Sequence, residues 1–456
     1  MNADPRPEIL LITNHGYAGA EIPIGGAPDT GGQVVYVNAL ARALAEIGYE
    51  VTVMSRGGFP GHGGGPLREG SEAVGDHARY VFVPGGGSRF LPKEEIAVAL
   101  DEEVAWIEQY VRAQAVRKGV RPWEVYELIN SHYWDAAVIG EQLVARWRSE
   151  AGDEADRHVW TPHSLGAIKE RNYRDKPLDV RRALRFCERR SHERMICART
   201  RAFASTSPEI TRSLTTDFGV EPDIVVDFPP CVDTSCFRTY PDDDLDVAYD
   251  YLAAHSDLDP ARLRAGQLVF EASRNDETKR KDLLVDAFVR GCGDLGDSFL
   301  VIGGGPDNEV QRELERRRES EPALRERLVL LRGRIPDPVL HRLFSLADVY
   351  VTPSEMEGFG MSAAQAAAAG TAVIASDLVP FATGFVPEHA VVVPAGDTAG
   401  FAAALRRLLG DGEERRKRGA ALAEATSGLA WVPVARRFLD QLRVRGMQIA
   451  APRSRV

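Results

Sequence analysis

Cysteine is scarce in this sequence, and so are the features of secreted and membrane proteins. The five cysteines among the 456 residues form no C-x-x-C pair, which argues against a disulfide framework or a zinc ribbon and is typical of a reducing compartment. No apolar run reaches the roughly 18 residues of a membrane span, and the first residues lack the basic start and apolar core of a signal peptide. We therefore expect a soluble cytoplasmic protein without a membrane segment.

Positive charge is also in short supply. Lysine and arginine number 56 against 67 aspartates and glutamates, so the net charge is −11. Such a chain is a poor general ligand of nucleic acids or anionic membranes, and we expect neither as a partner. Hydrophobic residues make up 44% of the chain, which is enough for sizeable cores, and the length fits two large α/β domains.

Short apolar runs alternate with amphipathic helical patterns along most of the chain. Glu8–Thr13 is predicted to be a buried strand and Gly32–Ile47 a helix, and a second series begins with a strand over Gln267–Ala272. This alternation predicts doubly wound parallel sheets with helices on both faces. Ligands of such sheets bind at the carboxyl ends of the strands, so we expect a site in the cleft between two Rossmann-like domains. The glycine-rich segment Gly57–Gly70 is predicted to be a surface loop.

The predicted domain boundaries follow from this pattern. We expect an N-terminal domain over residues 1–238, an acidic linker or insertion over 239–265 and a C-terminal domain over 266–430. A terminal helix within 431–456 is expected to pack back toward the N-terminal domain.

A nicotinamide dehydrogenase is one alternative for a Rossmann-like pattern. A G-x-G-x-x-G occurs at Gly291, Gly293 and Gly296, but it follows a predicted helix and precedes a predicted strand. Pyrophosphate binding needs the opposite order, with the glycines between a strand and the start of a helix. We interpret these glycines as an ordinary connection, and the dehydrogenase loses its main support.

Several loops after predicted strands are suited to an anionic ligand. The loop Asn14–Gly32 ends in glycines directly before a helix, which allows close approach to free N–H groups. Arg274 and Lys279 follow the first strand of the second series and can hold a diphosphate. Glu357 follows a later strand and can accept from hydroxyl groups. The alternatives, taken singly, are helix capping, solvated surface cations and a capping glutamate.

Together, these segments resemble the retaining glycosyltransferases of the GT-B fold, in the family that contains sucrose-phosphate synthases, sucrose synthases and the mycothiol-pathway N-acetylglucosaminyltransferase. The resemblance runs from about Ile9 to Leu409. The segments that carry it are DTGGQVVYVNALARAL (29–44), FLPKEE (90–95), SHYWDAA (131–137), TPHSLGAIK (161–169), STSPEI (205–210), PPCVDTSCF (229–237), SRNDETK (273–279) and SEMEGFGMSAAQAAAAGTAVIASD (354–377).

The resemblance implies a role for particular residues. Arg274 and Lys279 match the cations on the donor diphosphate, and His163 matches a histidine near the 6-hydroxyl of the donor sugar. These three and Glu357, which matches a sugar-binding glutamate, are the expected catalytic residues. Further expected donor-binding residues are Gly31, Gly32, Gly304, Gly358, Phe359, Gly360, Met361 and Gln365. The expected acceptor-binding residues are Gln33, Lys93, His132, Asp135, Lys169 and Arg185. No metal or other cofactor is expected, because the nucleotide-sugar is a co-substrate.

Two positions depart from the family pattern. Gln365 stands where the family usually has a glutamate that binds both ribose hydroxyls, and Cys231 stands where glycine is common. An amide accepts only through one oxygen, so the change at Gln365 is expected to retune or weaken nucleotide binding.

The arginine-rich stretch Arg181–Arg201 is either a solvated helix face or a source of cations, Arg185 among them, for an acceptor phosphate.

The sequence therefore predicts a retaining hexosyltransferase. We expect it to move glucose from UDP-glucose to a small polar acceptor, in the manner of sucrose-phosphate synthases. The alternatives are transfer of N-acetylglucosamine to an inositol phosphate and a non-catalytic protein that binds sugar nucleotides.

Overall fold

The computed structural model describes residues 6–23, 27–256, 258–305 and 307–452. The chain divides into two units: unit 1 comprises the chain up to Pro229 and from Trp431 onward, and unit 2 comprises Pro230–Ala430. Each unit is built on a mainly parallel sheet, so the predicted fold class of two doubly wound α/β domains is confirmed. Within the described ranges, no helix is long and apolar enough to cross a membrane.

The main sheet of unit 1 has the strand order β10-β9-β8-β7-β1-β2-β6-β5. Its strands pair in parallel except at the edge, where β5 runs antiparallel to β6. The central strand β1 is buried over nearly its whole length, which explains its unbroken apolar sequence. The strands of unit 1 are β1 (Glu8–Thr13), β2 (Glu50–Gly57), β3 (Pro60–Gly61), β4 (Gly65–Leu67), β5 (Ser71–Gly75), β6 (Ala78–Pro84), β7 (Leu128–His132), β8 (His158–Thr161), β9 (Phe203–Ser205) and β10 (Val225–Asp227).

The helices of unit 1 connect these strands and cover the sheet. They are α1 (Gly32–Ile47), α2 (Leu100–Lys118), α3 (Tyr133–Ala151), α4 (Gly166–Asn172), α5 (Leu178–Ala183), α6 (Phe186–Arg199) and α7 (Pro208–Phe218). The segment Gly57–Gly70, predicted to be a loop, contains the small antiparallel hairpin of β3 and β4. These strands are too short and too exposed for the two-residue periodicity of a strand to show in the sequence.

Unit 2 has the strand order β13-β12-β11-β14-β15-β16, with every pairing parallel. Its strands are β11 (Gln267–Ala272), β12 (Ser298–Gly305), β13 (Leu328–Arg332), β14 (Val349–Thr352), β15 (Ala372–Ser376) and β16 (Val391–Val393). Its helices are α8 (Asp246–Ala254), α9 (Pro260–Ala265), α10 (Lys281–Cys292), α11 (Glu309–Ser320), α12 (Pro322–Arg325), α13 (Asp337–Leu346), α14 (Met361–Ala368), α15 (Thr398–Gly410) and α16 (Gly412–Ser427).

Residues 239–265, predicted to be a linker or insertion, contain α8 and α9. The buried side chains of Leu252, Leu258 and Leu263 join the same hydrophobic core of unit 2 as Phe270 of β11. These leucines are separated by acidic residues, which hides their common face in the sequence. The segment is therefore an integral part of unit 2.

The last helix, α17 (Trp431–Val444), belongs to unit 1. Phe438 of α17 stacks on Phe228 with ring centroids 4.0 Å apart, and Trp431 packs edge-on against Tyr36 of α1. The chain therefore leaves unit 1 after β10 and returns to it with this helix.

Gly291, part of the misplaced G-x-G-x-x-G, lies where two helices of unit 2 meet. A Cβ at this position would lie 2.4 Å from the carbonyl oxygen of Ala402 in α15. Glycine is therefore required here for helix packing, which agrees with the interpretation of these glycines as a structural connection.

We expect Gly291→Ala to destabilise the protein by about 1–3 kcal/mol, the usual cost of overpacking, although alanine normally favours a helix. Urea unfolding of the full chain measures this change. Gly296→Ala is the matched control, because its Cβ would meet no described atom within 4 Å. Equal free energies of unfolding for the two variants would show that α10 and α15 can move apart to accommodate the added methyl group.

Candidate functional site

The loop after β1 ends in two glycines at the start of α1. Gly31 precedes the helix in an extended conformation, and no side chain in the described ranges caps the helix. A Cβ on Gly31 or Gly32 would meet no described atom within 4 Å, so a ligand can approach the first N–H groups of α1 closely. Gln33 donates from Nε2 to Oγ1 of Thr13 at 3.1 Å and to the carbonyl oxygen of His132 at 3.2 Å. This helix start is thereby tied to the carboxyl ends of β1 and β7.

His132 and His163 form a pair at the ends of β7 and β8. Nδ1 of His132 lies 2.9 Å from Nε2 of His163, and the two rings lie edge to edge with centroids 5.2 Å apart and an interplanar angle of 24°. Tyr36 packs edge-on against the ring of His163. Burial, with a smaller contribution from His15, lowers the pKa of His163 to about 3, and burial lowers the pKa of His132 well below its usual value. Both imidazoles are therefore neutral near pH 7.

Asp135 lies in the first turn of α3, where it binds His15. Nδ1 of His15 lies 3.0 and 3.2 Å from the two carboxylate oxygens. The side chains of Asp135 and His132 are both fully buried. Asp135 thus binds His15 and His132 binds His163 in the interior of unit 1, and the expected contact of these two residues with the acceptor stays a prediction.

Cationic side chains of unit 1 converge on one pocket. Its lining includes Lys93, Lys169 and Arg185, which were predicted to bind the acceptor, and Arg189, which was not. Tyr133 also lines this pocket, and its hydroxyl group lies 3.2 Å from Nζ of Lys169 and 2.6 Å from Nη1 of Arg189. Burial acts to raise the pKa of Tyr133, but the two cations outweigh it and lower this pKa. We call this site the cationic pocket.

Most cations of the cationic pocket have carboxylate partners. Glu94 lies 3.1 Å from Nζ of Lys93, Glu188 lies 3.6 Å from Arg185, and Glu193 lies 2.8 Å from Nε of Arg189. Asp29 also binds Lys93, and it accepts from the backbone N–H of Lys93 at 2.9 Å. Burial opposes ionisation of Asp29, but the bonds from Lys93 prevail and lower its pKa. The pocket therefore contains many charged groups, but its net charge is close to zero.

Several residues around these sites of unit 1 have left-handed backbone conformations. The φ angles are +52° at Asp29, +76° at Tyr133, +55° at His163 and +45° at Arg185. Such angles are unfavourable for residues other than glycine by about 1–3 kcal/mol each, and they cluster at functional sites. Trp160 helps to hold one of them, because its indole N–H donates to the carbonyl oxygen of Tyr133 at 3.0 Å.

Arg274 of unit 2 lies in the loop after β11 with an exposed guanidinium group. No hydrogen bond or ion pair of this group is formed with the residues that the structure describes. The loop itself is anchored by Lys281, whose ammonium group donates to the carbonyl oxygen of Ser273 and to Oδ1 of Asn275, each at 2.8 Å. The guanidinium group of Arg274 is therefore available to a ligand from a fixed backbone.

Lys279 and Glu357, both predicted to be catalytic, form an ion pair. Nζ of Lys279 lies 2.6 Å from Oε1 of Glu357 and 3.2 Å from the carbonyl oxygen of Met356. An ammonium group has three protons, so these two bonds leave one proton for a ligand. The pair joins the loop after β11 to the loop after β14.

The loop after β14 presents its backbone rather than its side chains. Phe359 is buried against Phe381 and Phe385. Gly360 has φ +101°, and no side chain of the described residues caps α14 behind it. The N–H groups around Met361 are thus open to an anion, as predicted for the segment Gly358–Met361. Gln365 lies one turn further along α14, on the face that carries Met361, and is partly exposed.

The end of β12 completes the group of loops in unit 2. Gly304 is exposed with φ +87°, and a Cβ on Gly305 would lie 1.9 Å from Cγ of Asn275. Only glycine allows this approach of the β12 end to the loop that carries Arg274. Asn275 also donates from Nδ2 to Oε1 of Gln311 at 3.0 Å.

Lys281 was not predicted, and Arg189 was expected only as part of the arginine-rich stretch Arg181–Arg201, although a helical pattern contained both. Lys281 begins a buried i, i+3, i+4, i+7 series on α10 that continues with Leu284, Val285 and Phe288. Arg189 occupies the buried face of α6 with Glu193 and Ile196. A charged residue on an apolar helical face signals a buried, fully bonded charge, and this signal was available in the sequence.

Two family models match the chain. Glycosyltransferase Family 4 matches residues 30–235, and Glycosyl transferases group 1 matches residues 266–411.

Relatives of known activity span most of the chain. Mannosylfructose-phosphate synthase from Agrobacterium fabrum is 32% identical over 378 residues, which cover 81% of this chain and 76% of that protein. D-inositol 3-phosphate glycosyltransferase from Nocardia farcinica is 28% identical, with coverage of 96% and 90%. The structure of sucrose-phosphate synthase from Thermosynechococcus elongatus has the same fold, with a TM-score of 0.73, 24% identity and coverage of 96% and 99%. The chain therefore belongs to the group 1 glycosyltransferases of the GT-B fold, the family that its motifs resemble.

Proposed function

We propose that this glycosyltransferase moves glucose from UDP-glucose, with retention of anomeric configuration, to a phosphorylated sugar or polyol. The observation that carries the acceptor class is the cationic pocket, where Lys93, Lys169, Arg185 and Arg189 converge. Phosphate is the group that such a set of cations recognises best. The names of two relatives, mannosylfructose-phosphate synthase and D-inositol 3-phosphate glycosyltransferase, also point to phosphorylated substrates.

The donor diphosphate binds unit 2 in this proposal. Arg274 and the remaining proton of Lys279 bind its oxygens, together with the uncapped start of α14. Negative charge grows on the diphosphate as the glycosidic bond breaks, and preoriented positive groups stabilise that charge more than they stabilise the bound donor. These residues supply the positive charge for which other enzymes use a metal ion.

The reaction forms one bond and breaks one bond at the anomeric carbon. An acceptor hydroxyl attacks this carbon from the face that the diphosphate leaves, and its proton passes to the departing phosphate oxygen. The products are the glycoside and the nucleoside diphosphate. His163 contacts the 6-hydroxyl of the sugar as a neutral group. Glu357 is paired with Lys279 and accepts from sugar hydroxyls, so it acts as a binding group.

A second candidate is transfer of N-acetylglucosamine to an inositol phosphate. The relatives named D-inositol 3-phosphate glycosyltransferase favour it, one of them at 30% identity over 86% of this chain. The cationic pocket suits either acceptor, because both carry a phosphate.

A transfer assay with UDP, GDP and ADP sugars tests the proposal. We expect nucleoside diphosphate and a glycoside phosphate to form from UDP-glucose with a hexose phosphate such as fructose phosphate, and little product with the unphosphorylated sugar. Turnover only with UDP-N-acetylglucosamine and inositol phosphate would select the second candidate. Binding of a sugar nucleotide without transfer or hydrolysis would make the protein a non-catalytic binder.

Arg274→Ala is expected to lower kcat by about 10²-fold or more, because it removes a group that stabilises charge in the transition state. Steady-state kinetics with saturating donor measure this loss. Arg290→Ala, which removes an exposed arginine of α10 in the same unit, is the control and should retain normal turnover. Equal rates in both variants would exclude Arg274 from the reaction.

Arg185→Ala is expected to raise KM for the phosphorylated acceptor by about tenfold, the value of one charge-assisted hydrogen bond, with kcat nearly retained. The control is Arg182→Ala, which removes an exposed neighbour outside the pocket lining. Acceptor saturation curves measure the effect. An unchanged KM, or an equal rise for an unphosphorylated acceptor, would contradict a phosphate site at Arg185.

Gln365→Glu is expected to tighten nucleotide binding by less than tenfold, because a carboxylate accepts from both ribose hydroxyls where the amide has one oxygen. Calorimetric titration with UDP measures the gain. Titration with the 2′-deoxy analogue is the control, and its gain should be smaller. An identical gain for both nucleotides would show that residue 365 does not contact the ribose.

A further inference from the structure

The pair of His132 and His163 carries an inference about the reacting groups of unit 1. We infer that His132 is a positioning residue that fixes the tautomer of His163, so that His163 presents Nδ1–H as a hydrogen-bond donor to the sugar. This inference rests on the proposed function, in which His163 contacts the donor sugar.

A single proton must lie between the two facing nitrogens. Nδ1 of His132 and Nε2 of His163 are 2.9 Å apart, which is a hydrogen-bond distance. Because both rings are neutral, each carries one N–H, and two arrangements exist. Either His132 donates from Nδ1 and the proton of His163 is on Nδ1, or His163 donates from Nε2 and the proton of His132 is on Nε2.

The second ring nitrogen of His132, Nε2, shows which of the two arrangements is favoured. Nε2 of His132 is buried and has no hydrogen-bond partner within the described ranges. If His163 were the donor, His132 would carry an N–H at this position, buried and unbonded. Orphaned buried N–H groups are rarer than under-satisfied acceptors in proteins, so the arrangement in which His132 donates is favoured. The proton of His163 is then on Nδ1.

Packing restrains the orientation of the His163 ring relative to His132. The two imidazoles are nearly coplanar, with an interplanar angle of 24° that suits an in-plane hydrogen bond, and Tyr36 packs edge-on against the ring of His163 with centroids 4.8 Å apart. The left-handed backbone at His163 further restricts the side chain. Since Nε2 of His163 is occupied by His132, only Nδ1 is free for a ligand, and as an N–H it binds a hydroxyl oxygen and cannot accept a proton.

Nitrogen-15 NMR of the full chain, labelled at histidine, tests the tautomer without reference to activity. His163→Asn assigns the signal. We expect wild-type His163 to show a protonated Nδ1 and an unprotonated Nε2, unchanged between pH 6 and pH 8. A protonated Nε2 would overturn the inference.

Two substitutions of His132 separate positioning from simple packing. The amide nitrogen of asparagine occupies the place of Nδ1, so His132→Asn retains the donor, whereas His132→Leu fills the site without one. We expect His132→Leu to lose the fixed tautomer and to lower kcat by about 10–100-fold, as is typical for groups that orient a functional histidine. His132→Asn should keep the tautomer and most of the turnover.

Each result decides the question. Equal losses in both variants, or a retained tautomer in His132→Leu, would overturn the positioning role. If His132→Leu fails to fold, the wild-type spectrum and His132→Asn decide. If wild-type His163 shows the Nδ1–H tautomer but His132→Leu and His163→Asn both have normal kinetics, the inferred tautomer is correct and the proposed contact of His163 with the sugar is wrong.

Discussion

The donor loops of unit 2 depend on a positive charge buried beneath them. Lys281 is 1% exposed, and an ammonium group in such a place is costly unless it is fully bonded. Its acceptors are the carbonyl oxygen of Ser273 and the side chain of Asn275, with Glu271 3.2 Å away. The carbonyl oxygen of Gly303 in β12 lies 3.4 Å from the same ammonium group, so the ends of β11 and β12 both help to satisfy this charge. Arg274 therefore extends toward solvent between two residues, Ser273 and Asn275, that are both bonded to Lys281.

Unit 1 combines a buried cation, Arg189, with strained backbone. Tyr133 and His163 adopt left-handed conformations that the surrounding contacts must maintain. Trp160 binds the carbonyl oxygen of Tyr133, and Tyr36 packs against His163. Both units therefore hold their polar groups in place before a ligand binds.

The sequence predicted the parts that depend on local pattern. The bounds of β1, α1 and β11 agree with the expected ranges, because each is a clear apolar or amphipathic run between loops. The motifs also identified the family. They predicted Lys93, Lys169 and Arg185 as acceptor-binding residues, and these three residues line one pocket in the structure.

The remaining features depend on contacts between distant segments. The burial of His132 follows from its pairing with a residue 31 positions away, and the environment of Lys281 follows from the close approach of β12. The acidic stretch around α8 resembled a linker because its buried leucines are few and widely spaced. Periodicity within one element contains no information on partners supplied by another.

The balanced charge of the cationic pocket has a consequence for selectivity. Because Asp29, Glu94, Glu188 and Glu193 already pair with Lys93, Arg185 and Arg189, a molecule that binds these three cations gains little unless it can replace a carboxylate. A phosphate monoester can make that exchange of anions, whereas an uncharged sugar of the same shape cannot. In the proposed reaction one anion would replace another, so the expected gain in binding free energy is small, and the carboxylates would return to the cations when the product leaves.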